Sequence, residues 1–329
     1  MTHIGIPSSL FYYVYFPMWK VFFEELKNVK VVTSGETTRE ILDKGVSEAL
    51  ADACVPVKVF FGHVLTLRNK VDYLFIPRIV CLNRKTVYCP KFLGLPDMIR
   101  YGLSDMPPII DVRIDTRKMR SAVYRAFNTV GQILQAKKQN ILRAYLKARL
   151  AQFKFKRLLR RGWQPPEAMA AVLNGRKSNL PADPPGQLRF AVVGYPYIIH
   201  DRYISVDVIN KLRRMGVSVV TSDNPPPLAL RMQRYDCGKI LFWTFSDRTL
   251  RAAHYFAKQG KVDGIIHLTA FGCGPDSIVD RFIQYNSSSH HIPFMSLSID
   301  EHSGEAGVST RLEAFVDMVR RKKGEKMNA

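Results

Sequence analysis

The chain has 329 residues, 47% hydrophobic and 23% charged, which is the composition of a globular protein and the length of two domains of about 100–200 residues each. Its net charge of +21 points toward anionic partners: nucleic acid, cofactor phosphates or an acidic protein. Five cysteines, an odd count with no secretory signal ahead of them, argue against a disulfide framework and for a cytoplasmic protein.

A strand is expected over His3-Ile4-Gly5-Ile6, followed by an aromatic helix to Leu26 and a strand at Val31-Val32-Thr33-Ser34. The most apolar run, Leu10 to Phe23, is interrupted by Pro17 and Lys20 and is too short to cross about 30 Å of hydrocarbon, so no membrane partner is expected. Amphipathic helices follow over Thr37–Ala51 and Pro56–Leu67, then a buried strand over Val71–Pro77. Residues 116–161 read as helical with no strand signal, and 174–187 as a Pro/Gly/Asn/Asp linker. The second half opens with a strand at Phe190–Gly194, a helix to about Met215 and a strand ending in Val219-Val220-Thr221-Ser222. It continues with a strand over Lys239–Thr244, a helix over Asp247–Gln259, a strand over Val262–Thr269 and a helix over Asp276–Tyr285. A strand over Pro293–Ile299 and a helix over Gly307–Arg320 close the chain.

Strands alternating with helices predict an α/β fold: two flavodoxin/Rossmann-like parallel-sheet domains with a helical insert between them. The expected boundaries are 1–115, a basic helical segment and linker at 116–187, and 188–329. Each half begins with the same pattern, strand, proline, helix, then "VVTS", with proline-to-valine spacings of 24 and 23 residues. This is one βαβ unit used twice, or two units that share only the general look of the motif.

The positive charge is concentrated. Residues 113–161 hold fifteen Lys/Arg and one acid, Asp115. Between Ala136 and Arg161 the cations alternate with Tyr145, Phe153 and Phe155. Nucleic acid, an acidic redox partner, the phosphates of CoA and plain solvent all suit such a face. No nucleic-acid-binding signature is present, so nucleic acid ranks last.

Three cysteines share a setting. Cys54 precedes Val55-Pro56, Cys89 precedes Pro90, and Cys273 precedes Gly274-Pro275, each followed by a helical pattern. Proline is favoured at the first helical position, so each thiol is expected at a helix N-terminus, where unpaired N–H groups and the dipole favour a thiolate. Three such sulfurs suit an iron–sulfur cluster with one iron left open. Partly buried cysteines beside helix caps are the competing reading, and the C-x-x-C spacing of structural zinc is absent. Cys81 is expected to fill space at a strand end, and Cys237 lies in a turn.

Several longer motifs carry a resemblance. They are Cys54-Val55-Pro56-Val57-Lys58 with Gly62-His63-Val64, Cys89-Pro90-Lys91-Phe92-Leu93-Gly94-Leu95-Pro96-Asp97, Phe271-Gly272-Cys273-Gly274-Pro275-Asp276-Ser277, and Asp300-Glu301-His302-Ser303-Gly304-Glu305-Ala306-Gly307 with Thr310-Arg311-Leu312-Glu313-Ala314-Phe315. In order and over nearly the whole chain, they resemble the CoA-substrate-specific enzyme activase-related family, relatives of the iron–sulfur subunits of 2-hydroxyacyl-CoA dehydratases and benzoyl-CoA reductases. The resemblance implies two flavodoxin-like domains and a 4Fe-4S cluster ligated by Cys54, Cys89 and Cys273. It further implies electron transfer from a separate ATP-dependent activase of the sugar kinase/Hsp70/actin type, and an acyl-CoA or other small substrate at the open iron. The phosphate-loop pattern of ATPases is missing, so no ATPase activity of its own is expected.

Lys58 and Lys91, each close after a cysteine, are candidates to offset cluster charge. Glu301 and His302 are candidate catalytic proton donors, against a solvated acid cluster with helix capping by Ser303 or Glu305. His63 either faces the cluster or is a hydrogen-bonded core histidine. A non-catalytic scaffold subunit of a larger activase or dehydratase-like complex is the alternative function. Substrate, cluster nuclearity and a dimer are left open.

Overall fold

The computed structural model describes residues 1–175, 188–233 and 241–327. Residues 176–187, 239 and 240 and Cys237, which bear on the expected linker, strand and turn, lie outside them. The chain divides into two compact units. One comprises Met1–Leu159, Trp163–Ser178 and Leu241–Thr244; the other comprises Arg160–Gly162, Asn179–Ile240 and Phe245–Ala329.

In the first unit the strands are β1 (Thr2–Ile6), β2 (Val29–Thr33), β3 (Tyr73–Phe75), β4 (Arg78–Cys81), β5 (Ile109–Ile110) and β6 (Arg113–Asp115). Four form a parallel sheet in the order β2-β1-β3-β5, and β4 pairs with β6 in a separate parallel pair. In the second unit β7 (Arg189–Gly194), β8 (Ser218–Thr221), β9 (Gly264–Ala270) and β10 (Phe294–Ile299) form a parallel sheet in the order β10-β9-β7-β8. With the strands numbered in chain order within each four-stranded sheet, both sheets read second, first, third, fourth. All strands run parallel, and the strand order reverses between the first and third strands; ligands bind outside the carboxyl ends at such a point. The architecture is α/β with parallel sheets and Rossmann-like units.

The repeated βαβ pattern has a structural counterpart. In the first unit Ile6 pairs with Thr33, and the Ser8 N–H donates to Ser34 Oγ at 2.9 Å. In the second, Val192 pairs with Thr221, and the Gly194 N–H donates to Ser222 Oγ at 3.2 Å. The serine of each "VVTS" therefore ties the exit of the second strand back to the exit of the first, two residues beyond the paired position.

The helix Tyr12–Glu25 is apolar except for Lys20, Glu24 and Glu25, and most of it is buried. Its Trp19 and Phe23 meet Phe75 edge-on, with ring centroids 5.3 and 5.1 Å apart. The helices Arg39–Glu48 and Val55–Leu67 pack backbone to backbone. A Cβ at Gly45 would fall 1.9 Å from the Lys58 carbonyl oxygen, and one at Gly62 would fall 1.8 Å from that of Ile41.

Several expectations need correction. The helix expected from Pro196 to Met215 is two pieces, Pro196–Ile199 and Val208–Arg214. Asp201 Oδ1 accepts the N–H groups of Tyr203 and Ile204, both at 3.0 Å, and this local turn competes with the helix. Val206 and Asp207 then adopt left-handed backbone conformations, both with φ of 53°. Within the expected strand Lys239–Thr244, Trp243 makes an isolated parallel bridge to Val87, and Thr244 already begins the helix Thr244–Gln259. The strands β5 and β6 were too short to register as patterns. The basic segment forms the helices Ala122–Ile133 and Lys138–Arg160. Among the described residues, no helix is long and apolar enough to cross a membrane.

Candidate functional site

A helix leading into a parallel strand begins at the carboxyl edge of its sheet. Cys54 is the N-cap of Val55–Leu67, which leads to β3, and Cys89 is the N-cap of Pro90–Gly102, which leads to β5. Both are part-exposed and free of disulfides. The two thiols are close enough for the charge of one to act on the other. Lys91 acts electrostatically on both, and its Nζ donates to the Asp52 carbonyl at 3.2 Å, tying one helix start to the loop before the other.

The expectation of ready thiolates fails here. Burial raises the pKa of both thiols and outweighs the helix-start N–H groups and Lys91, which pull it down. Two desolvated thiols beside one ammonium favour their protonated forms, and among the described residues no group of three or more His, Cys, Asp or Glu is placed to hold a metal ion. Lys58 is buried, and its backbone packs on Gly45. Cys81 is fully buried beside Val80 and Val87, and its Sγ accepts the Arg84 N–H at 3.1 Å. It fills space, as its strand-end position indicates.

In the second unit Cys273 is the N-cap of Gly274–Ser289, just beyond the end of β9 and part-exposed. The Phe271 N–H donates to the Ile299 carbonyl at 2.8 Å, so the Cys273 loop and the loop after β10 leave the sheet side by side. The latter carries Glu301 and His302. Asp300 organises it: Oδ1 accepts the His302 N–H and the Ser303 hydroxyl, both at 2.9 Å, and Ser303 Oγ accepts the Asp300 N–H at 2.8 Å. Glu305 pairs with Lys211.

Beneath the start of the Cys273 helix lies a buried charge cluster that the sequence reading did not single out. His267 on β9 is fully buried, with Nδ1 2.8 Å from Asp280 Oδ1 and Nε2 3.3 Å from Asp276 Oδ1. The second contact is an ion pair without hydrogen-bond geometry. Burial pushes the imidazole pKa down, but the two carboxylates together hold it up at about 9. A second network lies at the exits of β7 and β8. His200 Nε2 is 2.7 Å from Asp223 Oδ2, and Arg248 donates to Asp223 Oδ1 at 2.5 Å. Burial raises the Asp223 pKa, and Arg248 and His200 overcome it, bringing it down to about 2.

His63 is a core histidine. Its Nδ1 is 2.8 Å from Ser34 Oγ and its Nε2 2.9 Å from Thr37 Oγ1, and burial lowers its pKa to about 4. The unfolded chain takes up this proton near pH 6.5, before the folded one does. Stability from His63 is therefore present above about 6.5 and is lost as pH falls toward 4, by on the order of 3 kcal/mol. Urea unfolding between pH 4 and 7 should show this slope, and His63→Gln should flatten it. An equal slope in the variant would assign the acid sensitivity to other groups.

Each unit is a parallel-sheet domain with cysteine-capped helices that begin at the carboxyl edge of its strands. A family described as the CoA enzyme activase uncharacterised domain (DUF2229) matches residues 3–224, and the 2-hydroxyglutaryl-CoA dehydratase D-component matches residues 176–319. The first match spans more than half of the chain, and the chain belongs to that family. Its C-terminal region is similar to the dehydratase D-component. No curated protein matches the chain.

Proposed function

We propose that this protein is an iron–sulfur redox component related to the 2-hydroxyacyl-CoA dehydratases. In this reading Cys54, Cys89 and Cys273 ligate a 4Fe-4S cluster, an ATP-dependent activase or a related larger subunit delivers low-potential electrons, and an acyl-CoA is the substrate class. The reading is carried by the paired thiols Cys54 and Cys89, part-exposed at neighbouring helix starts with Lys91 acting on both. Burial that disfavours a free thiolate favours handing its charge to iron, which suits these two residues to such a group.

When bound, a cluster of this kind carries one electron and, with three protein thiolates, leaves one iron able to take a further ligand. The protein's part is to hold and tune it. Lys91 offsets negative charge at Cys54 and Cys89, the N–H groups at the helix starts face their sulfurs, and Lys58 sits one turn beyond Cys54. Glu301 and His302, on the loop beside that of Cys273, would supply protons to a bound substrate.

The test is electron paramagnetic resonance of protein reconstituted with iron and sulfide without oxygen, then reduced with titanium(III) citrate. The expected result is a half-integer-spin signal that shifts when a 2-hydroxyacyl-CoA is added. No reducible signal would end the redox reading, and a signal that ignores every acyl-CoA would remove the substrate class.

A further inference from the structure

We propose that the outward face of the helix Lys138–Arg160 is a docking surface for an anionic lipid bilayer. This inference does not rest on the redox reading. One side of the helix is satisfied by the protein: Ile141, Ala144, Ala148, Ala151, Phe155 and Leu159 are buried. A second apolar stripe faces out. Leu142, Leu146, Leu150 and Phe153 are 46%, 59%, 54% and 59% exposed. At 3.6 residues per turn, these four positions fall within an arc of about 80° along the helix. A large side chain repeated outward over three turns is a stripe, unlike scattered surface leucines.

Exposed cations border the stripe: Arg143 and Lys154 flank it on one side, and Arg157 and Arg160 continue its line toward the end of the helix. Lys147 reaches Glu25, and Arg149 donates to the Tyr145 hydroxyl at 2.9 Å. No acid occurs anywhere from residue 116 to 166. The expectation of no membrane contact rested on the lack of a spanning segment; an interfacial helix needs none. It needs an apolar face for the acyl boundary and cations at headgroup level.

Charge and chemistry select the occupant. A second copy would set cation against cation. Nucleic acid would gain little from a mainly aliphatic stripe, because bases stack on aromatic rings. An acidic protein fits the charge as well, and the polyglutamate arm of the experiment below distinguishes it. An anionic bilayer matches both parts.

The experiment is co-sedimentation of the full chain with vesicles of seven parts phosphatidylcholine to three of phosphatidylglycerol, and with pure phosphatidylcholine, at about 0.1 M salt. Wild type should pellet with the mixed vesicles only. Leu146→Ser/Leu150→Ser should weaken binding at least about tenfold, and Arg143→Gln/Lys154→Gln about twenty-fivefold, near fivefold per cation. Leu228→Ser, an exposed leucine elsewhere, should bind as wild type, and all variants should keep the wild-type melting temperature. Wild type left in the supernatant overturns the proposal. Pelleting that ignores the leucine substitutions reduces it to nonspecific charge and also overturns it. Binding to transfer RNA or polyglutamate that is lost in the leucine variant, without vesicle binding, assigns the face to another class of partner.

Discussion

Replacing His267 by alanine is expected to cost about 3–5 kcal/mol of folding free energy at pH 7, the range for removing one partner of a buried ion pair. The imidazole lies between Asp276 and Asp280 with essentially no solvent exposure, and its loss leaves Asp276 without this partner and Asp280 with only the weaker pull of Arg281. Coulomb attraction wins over desolvation at this position, since the histidine pKa is raised to about 9 despite complete burial. The sign follows. The folded state holds a proton that the unfolded chain releases near pH 6.5, so the stabilisation is complete below that pH and disappears as pH rises through about 9. Urea unfolding at pH 6 and pH 9.5 checks both statements. The wild-type advantage over His267→Ala should shrink at the higher pH. An alanine variant within about 1 kcal/mol of wild type at pH 6 would mean that the cluster is neutral or wet.

Gly62→Ala is the second large effect, and its sign runs against helix propensity. An alanine in an exposed helix interior gains about 1 kcal/mol over glycine. At Gly62 the new Cβ would sit 1.8 Å from the Ile41 carbonyl oxygen, a backbone atom that no rotamer change can move. The helices must separate, and overpacking of this kind costs typically about 1–3 kcal/mol, with a backbone clash at the upper end. Because the helix Val55–Leu67 is capped by Cys54, its displacement moves that thiol relative to Cys89. Gly94→Ala is the control: nothing lies within 4 Å of its Cβ position in the helix Pro90–Gly102, so propensity alone should act and stability should rise. Thermal melts of the two variants should move in opposite directions. A stabilised Gly62→Ala would show that the two helices have slack.

The sequence made the βαβ units legible because their signals are local: apolar runs of strand length, prolines at helix starts, and the repeated "VVTS" whose serines make equivalent returns in both units. It also placed Cys54, Cys89 and Cys273 at N-caps, since a proline one or two residues on is a strong positional cue. Burial was not legible. The helix-terminus argument predicts easy thiolates at Cys54 and Cys89, and desolvation by tertiary packing reverses the sign. The break after Ile199 depended on one aspartate side chain capturing two backbone donors, which outweighs an apolar pattern of helical period. The His267 cluster left a trace in hindsight: a histidine inside the apolar run Gly264-Ile265-Ile266-His267-Leu268, followed by two aspartates four residues apart on one helix face. A charged-type residue mid-strand, where both sheet faces are covered, needs a partner, and the i, i+4 pair supplies it.

Iron and acid-labile sulfide per chain, measured after purification without oxygen, test the central claim most directly. Wild type should hold about four of each, with a broad visible absorption that air bleaches. Cys54→Ala, Cys89→Ala and Cys273→Ala should each lose most of the iron, while Cys81→Ala, although a core substitution, should retain it when folded. Wild type that is free of iron and resists reconstitution, or iron that stays when Cys273 is removed, would contradict the account and favour a scaffold role beside a larger subunit.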